Sequence, residues 1–270
     1  MRMKRVPLIY TFIILAVPFV VSAKKSNIPN FNMIEIPAGS FDMGSIHALD
    51  SARPVHAVNV PSFKIMQTEV AWELYQSCID MGGCLNNEEF GGDEGWGKDN
   101  RPVINVNFQD ITEQFIPWLN KQTGEEFKLP SEAQWEYATR AGSAAKFSWG
   151  NEIDCSKANY DGGEGEKCEY DIQGGERGTL PVKSFEPNAF GLYDMHGNVW
   201  EWVQDCWNKN YIGAPINGDA WLEGNCNFRQ VRGGAWVDPE KYLRSGDRNR
   251  NWVKTRINMM GFRLVQDIQD

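Results

Sequence analysis

Histidine is nearly absent from this chain: His47, His56 and His196 are the only three in 270 residues. No C-x-x-C pair occurs either. Together these absences argue against the usual zinc ligand sets, which need closely spaced Cys and His side chains. There is also no basic excess. The formal charge is −9, with 36 acids against 27 Lys and Arg, which argues against general binding to nucleic acid or to an anionic membrane. After residue 23 no apolar run is long enough to span a bilayer. An EF-hand loop, an internal repeat and a linker are all missing.

What is present begins with an export pattern. Arg2, Lys4 and Arg5 precede an apolar run from Pro7 to Val21, and Val21-Ser22-Ala23 has the small residues of a peptidase site. Residues 1–23 are expected to be a cleaved signal peptide, leaving a periplasmic or secreted protein with no membrane insertion. Losing those three basic residues takes the charge from −9 to −12. Residues 24–32 read as a flexible lead-in. Six cysteines in an exported chain suggest three disulfides. Many pairings are possible. The simplest is Cys78–Cys84, Cys155–Cys168 and Cys206–Cys226, since each pair brackets a Gly-rich or polar loop.

Eleven Trp and 26 Gly point to a loop-rich fold with aromatic packing. Met33 to Met43 alternates and predicts one strand; Val55 to Val60, Phe63 to Met66 and Val103 to Val106 predict three more. Helical spacing covers Glu69 to Met81. A second helix follows Asn107 and ends at Gly124, and a third starts at the capping-box pair Ser131 and Gln134 and stops at Gly142. The stretch from Phe147 to Gly178 is long, Gly-rich and acidic.

The organising stretch is Pro187 to Trp202, PNAFGLYDMHGNVWEW. Its aromatic load has neither helical nor strand period, so it must be irregular backbone pressed into a core. Gly191 and Gly197 let that backbone turn. Asp194, Asn198 and Glu201 lie inside the apolar run. A calcium ion could satisfy both the acids and the unpaired carbonyls. Alternatively these acids cap turns or pair with arginines. Further on, Arg229, Arg232, Lys241, Arg244, Arg248, Arg250, Lys254, Arg256 and Arg263 form a basic strip in an acidic protein. The strip could receive an anion bidentately, or could hold the fold together by ion pairing.

GLYDMHGNVWEW, with IPAGSFDMGS (36–45), QTEVAWELY (67–75), RPVINVNFQD (101–110), KLPSEAQWEYATRAG (128–142), VRGGAW (231–236) and GFRLV (261–265), resembles the formylglycine-generating enzyme or sulfatase-modifying factor family. The resemblance implies one α+β domain over residues 33–268 with a C-type-lectin-like, loop-rich fold. It implies two structural calcium sites. Asn159 and the carbonyl of Tyr160 would serve the first, where residues 174 and 176 are Gly and Glu and Asp171 is a possible substitute acid. Asp194 and Glu201 by side chain, with Gly197 and Val199 by carbonyl, would serve the second.

In that family two cysteines shortly after an RGGSW-like motif bind copper and oxidise a substrate cysteine with oxygen. The matching positions here are Asp238 and Leu243, so copper and formylglycine generation are not expected. The family's sulfoxide synthases, with an added His-rich domain, do not match three histidines. Three readings remain. The chain could be a periplasmic oxidoreductase or maturation enzyme with non-thiol chemistry, like a siderophore-maturing member, with Trp236, Asp238, Tyr242, Arg244 and Arg248 lining its cleft. It could be a calcium-stabilised binding or scaffold module with a protein or peptide partner in the cell envelope. Or it could display a variable ligand face over residues 236–258. The second is favoured, because Asp238 alone is not a constellation of nucleophile, base or metal.

Overall fold

The computed structural model describes residues 28–162, 168 and 177–268. The signal segment 1–23, the start of the lead-in and Asp171 lie outside the described residues. Among the described residues three small sheets carry the fold. β1 (Met33–Ile36) and β9 (Val265–Asp267) flank β4 (Phe63–Met66), both antiparallel to it. β2 (Gly39–Met43) pairs with β3 (His56–Val60) from Gly39↔Val60 to Met43↔His56. The third sheet runs β7 (Asn249–Trp252), β6 (Asn225–Arg232), β5 (Trp200–Trp207), β8 (Met260–Gly261), with β8 parallel to β5 and the rest antiparallel.

The single strand expected over 33–43 is two strands that join different sheets, divided at Pro37-Ala38. Proline cannot donate to a ladder, so the chain changes partner there. Val103 to Val106 is not a strand. Its amides bond singly, Val103 to the Val70 carbonyl and Asn105 to that of Ile257, and Asn105 sits at φ 57°, outside the extended region. All four of these residues are buried.

α1 is Trp72–Asp80, inside the expected span. The second helix carries a π-helical turn over Asp110–Phe115 that runs into α2 (Ile116–Thr123), and Gly124 caps it at φ 77°. Asn107 and Asp110 exchange hydrogen bonds at its start: Asp110 N donates to Asn107 Oδ1 and Asn107 N to Asp110 Oδ2. α3 (Glu132–Arg140) has the expected capping box at Ser131. Its cap at the far end is Ala141, left-handed at φ 45°, one residue before the predicted Gly142.

Every residue of α3 is buried, including Glu132, Glu136 and Arg140 at four-residue spacing. This polar stripe is matched by Arg232 at the end of β6 and Arg248 just before β7. Arg232 Nη2 lies 2.6 Å from Glu136 Oε2, and Arg248 Nη2 lies 2.6 Å from Glu132 Oε2. Burying such charges is tolerable only with direct partners. Two large apolar cores lie around this helix and around α1, the first containing Trp135 and Val203, the second Trp72, Trp200 and Trp202.

All six cysteines are bonded as expected: Cys78–Cys84, Cys155–Cys168 and Cys206–Cys226. The last one staples β5 to β6. Among the described residues no helix is long and apolar enough to cross a membrane.

Candidate functional site

The stretch from Gly191 to Val199 lies between α3 and the third sheet as a succession of tight turns. Asp194, Gly197 and Asn198 all have positive φ, at 58°, 87° and 64°. Asp and Asn tolerate this region because their short polar side chains bond locally. At Gly197 only glycine fits, since an added Cβ would lie 2.3 Å from the Asn159 carbonyl oxygen. Asn198 is the junction. Its Oδ1 accepts from Leu180 N at 2.9 Å and Asn159 Nδ2 at 3.2 Å, and its Nδ2 donates to Glu69 Oε1 at 3.1 Å.

Of the expected second-site ligands, Asp194 lies in this turn, with Oδ2 accepting from Lys183 N at 2.8 Å. Glu201 is near enough to Asp194 and Glu69 to raise both carboxyls, and its own oxygens are engaged. Its Oε2 accepts from Arg263 Nε at 2.7 Å and Trp135 Nε1 at 2.9 Å, and its Oε1 from Arg263 Nη2 at 2.8 Å. The acid beside Asp194 is Glu69, which the sequence reading did not single out. It is 1% exposed, and its Oε2 has no hydrogen-bond partner. Burial, then the neighbouring Asp194, push the Glu69 carboxyl well above the usual range. Burial likewise raises Asp194 to about 6. The available signal was the first of two acids in QTEVAWELY, Glu69, set between Thr68 and Val70. Two neighbouring buried acids, one with an unpartnered oxygen, suit a hard cation. Among the described residues, no group of three or more His, Cys, Asp or Glu side chains is placed to hold a metal.

At the expected first site a guanidinium stands beside the carbonyl of Tyr160. Arg177 Nη2 donates to it at 2.8 Å and to the Trp236 carbonyl at 3.0 Å, while Nη1 pairs with Asp161. Asn159 Nδ2 donates to the Gly178 carbonyl at 3.0 Å.

Of the five cleft residues, Asp238 and Tyr242 meet at Trp200, while Arg244 and Arg248 are held elsewhere. Asp238 Oδ2 accepts from Trp200 Nε1 at 2.7 Å and Ala235 N at 3.0 Å, and burial raises its pKa. Tyr242 also contacts the Trp200 ring, at 6.3 Å between centroids. Trp236 packs edge-on against Trp96. Arg248 is buried, bidentate on Glu132 and stacked over Tyr211 at 4.1 Å. Arg244 pairs with Glu240 and donates to the His47 carbonyl, which places it on a separate cavity of about 890 Å³ beside β2.

Leu243 is fully buried against Phe147, Ala158, Tyr160 and Cys168. Its carbonyl bonds His196 Nδ1 at 2.7 Å, and His196 Nε2 accepts from Ser148 N at 3.2 Å. Burial lowers the His196 pKa to about 4. The imidazole is therefore a neutral brace under the segment that carries residues 238–243.

A family model for the sulfatase-modifying factor enzyme 1-like domain matches residues 19–268. The chain belongs to that family. Among curated relatives, this sulfatase-modifying factor-type chain is 27% identical to the formylglycine-generating enzyme of Streptomyces coelicolor, over 87% of this chain and 88% of that one. It is 29% identical to the serine/threonine-protein kinase Pkn1 of Chlamydia trachomatis, over 88% of this chain but only 38% of the kinase. Among solved structures, PvdO from Pseudomonas aeruginosa superposes with a TM-score of 0.71 at 34% identity, covering 87% of this chain and 94% of PvdO. Treponema denticola variable protein 1 superposes at 0.73 with 25% identity, covering 90% and 97%. The α+β, loop-rich architecture expected from the sequence is thus that of the sulfatase-modifying factor family.

Proposed function

We propose that this chain is a calcium-stabilised binding or scaffold module of a cell-envelope assembly, and not a cysteine oxidase. The observation that carries the reading is the condition of the two positions where the resemblance places catalytic thiols. Asp238 is held by Trp200 and Ala235, and Leu243 is sealed in a small core. All six cysteines are bonded in pairs. A thiolate that could take copper is therefore not supplied by these groups. The strip of arginines supports the same reading, because Arg232, Arg248, Arg256 and Arg263 are each engaged by a carboxylate of the fold.

Glu69, Asp194 and the turn carbonyls are the groups we assign to a structural calcium. When bound, the ion supplies the charge that lets both acids ionise while buried. Arg177 supplies fixed positive charge at Tyr160, so a single ion per chain is expected. Three disulfides fit an oxidising compartment, periplasmic or extracellular, and the partner in this reading is a protein or peptide of the envelope.

Two measurements test this. A CxPxR-type peptide incubated with the purified protein, copper and oxygen should keep its mass; aldehyde formation seen by mass spectrometry would restore the oxidase assignment. Chelator should lower the melting temperature by several degrees, and an unchanged melting curve would remove calcium from the account.

A further inference from the structure

The cavity beside β2 lies away from both the Asp194 turn and Asp238. It has a volume of about 890 Å³. Its floor is aromatic, made by Phe41, Tyr137 and Phe190, which pack on one another with centroid separations of 5.4 and 5.9 Å. Gly39 to Asp42 of β2 run along one side, and the loop from Gly142 to Lys146 faces them. β2 pairs only with β3 among the described residues, so its second edge has no partner strand there. Such an edge is a template for an added strand.

The charge of the lining opposes that of the whole chain. Arg140, Lys146 and Arg244 line it beside one acid, Asp42, in a protein of formal charge −9; Arg140 is ion-paired with Glu136 and Arg244 with Glu240. Lys146 has no ion pair among the described residues. Arg244 has a buried Nε without a hydrogen-bond partner. Arg140 gives Nε and Nη2 to Glu136 and leaves Nη1 with one long contact, 3.5 Å to the Ala145 carbonyl. At the mouth two apolar side chains face solvent, Ile46 at 65% and Val55 at 39% exposure.

We propose that this cavity receives an extended acidic peptide segment, added as a strand along β2. Its carboxylates meet Lys146 and Arg244 and its alternate apolar side chains rest on Ile46, Val55 and the aromatic floor. An extended chain has the two-residue alternation that such a bipartite lining reads. A free small carboxylate would use the cations and leave the strand edge and the apolar rim unused. The proposal rests on the binding-module reading and names its site.

The test uses the calcium-loaded protein and capped eight-residue peptides of alternating Glu and Val, or alternating Lys and Val, followed by isothermal titration calorimetry. The Glu-Val peptide should saturate one site. Lys146→Glu should weaken it about tenfold, the effect of losing one close charge contact, and shift preference towards the Lys-Val peptide. Backbone N-methylation of the Glu-Val peptide should abolish binding. Lys146→Gln replaces Lys146→Glu should the latter not fold, as judged by its melting curve.

No saturable binding of the Glu-Val peptide overturns the proposal, as does binding that Lys146→Glu leaves unchanged. Glutarate binding as tightly as the peptide overturns it in favour of a small-carboxylate site. An envelope partner retained by the Lys146→Glu protein would sink this cavity and leave the binding-module reading intact. Peptide binding in a protein whose stability ignores chelator would do the reverse for the calcium assignment.

Discussion

Glu69 and Asp194 are neighbouring buried acids, the first with an unpartnered oxygen, and their titration gives the calcium assignment a pH signature. An unfolded aspartate titrates near 3.8, whereas burial brings folded Asp194 to about 6. Between those values the folded state holds more protons, so without calcium stability falls as pH rises, by at most about 1.4 kcal/mol per pH unit for each proton. A bound cation takes the place of those protons. The stabilisation by calcium is therefore expected to be large at pH 7.5 and to vanish below about pH 5, read as the difference between melting curves with calcium and with chelator. The difference matters because Asp205 and Asp247 add slopes of the same sign, and His196, lowered to about 4, adds the opposite one between 4 and 6.5. Glu69→Gln should shrink the calcium effect and raise the stability of the calcium-free protein at pH 7.5.

Arg248 supplies a second prediction at this scale. It is 2% exposed and bidentate on Glu132. Arg248→Met should cost about 3–5 kcal/mol in urea unfolding, because it strips a buried acid of its closest partner. The sequence placed Arg248 in a cleft. What it could not convey was that Glu132, Glu136 and Arg140 are buried at four-residue spacing, a stripe that reads from sequence as a solvated helix face.

At the scale of elements, the segment from Pro239 to Arg244 is a short turn pinned from below. The Leu243 carbonyl meets His196, and its side chain fills the space over Gly234, where an added Cβ would come within 2.7 Å of Leu243 Cδ1. Leu243→Ala should destabilise by about 2–5 kcal/mol through the cavity it leaves, measurable as a shift in the urea midpoint with an unchanged slope. A polar site residue would tolerate the change better.

The helices were legible because caps and spacing are local: Ser131 with Gln134, and Gly124 at its left-handed position, are visible in a few letters. The strand expected over Val103 to Val106 was not there because its amides find two separate loops, at Val70 and Ile257. Partners so distant leave no periodic trace. The same holds for Glu69, which gains its meaning only when Asn198, 129 positions away, bonds it.

For the molecule as a whole, the simplest cysteine pairing was the right one, and the three loops it closes have sequence separations of 6, 13 and 20. Thiol titration of denatured, unreduced protein should find no free thiol. Reduction should lower stability by about 2–4 kcal/mol for each bridge, and two or more free thiols would contradict the assignment. Family membership was readable from motifs spread along the chain, while the cavity beside β2 was not. Its walls come from Gly39–Asp42, Tyr137–Lys146 and Arg244, three stretches with no shared pattern.

Arg263 reaches back to the carbonyl of Met66, 197 positions earlier, and clasps Glu201 and the Tyr193 carbonyl in the same grip. These partners lie 62 to 197 positions before it, so they wait on this keystone. Until it arrives, the middle of the protein has its acids but lacks their counterweight. Folding is then expected to be slow, in the manner of topologies dominated by distant contacts.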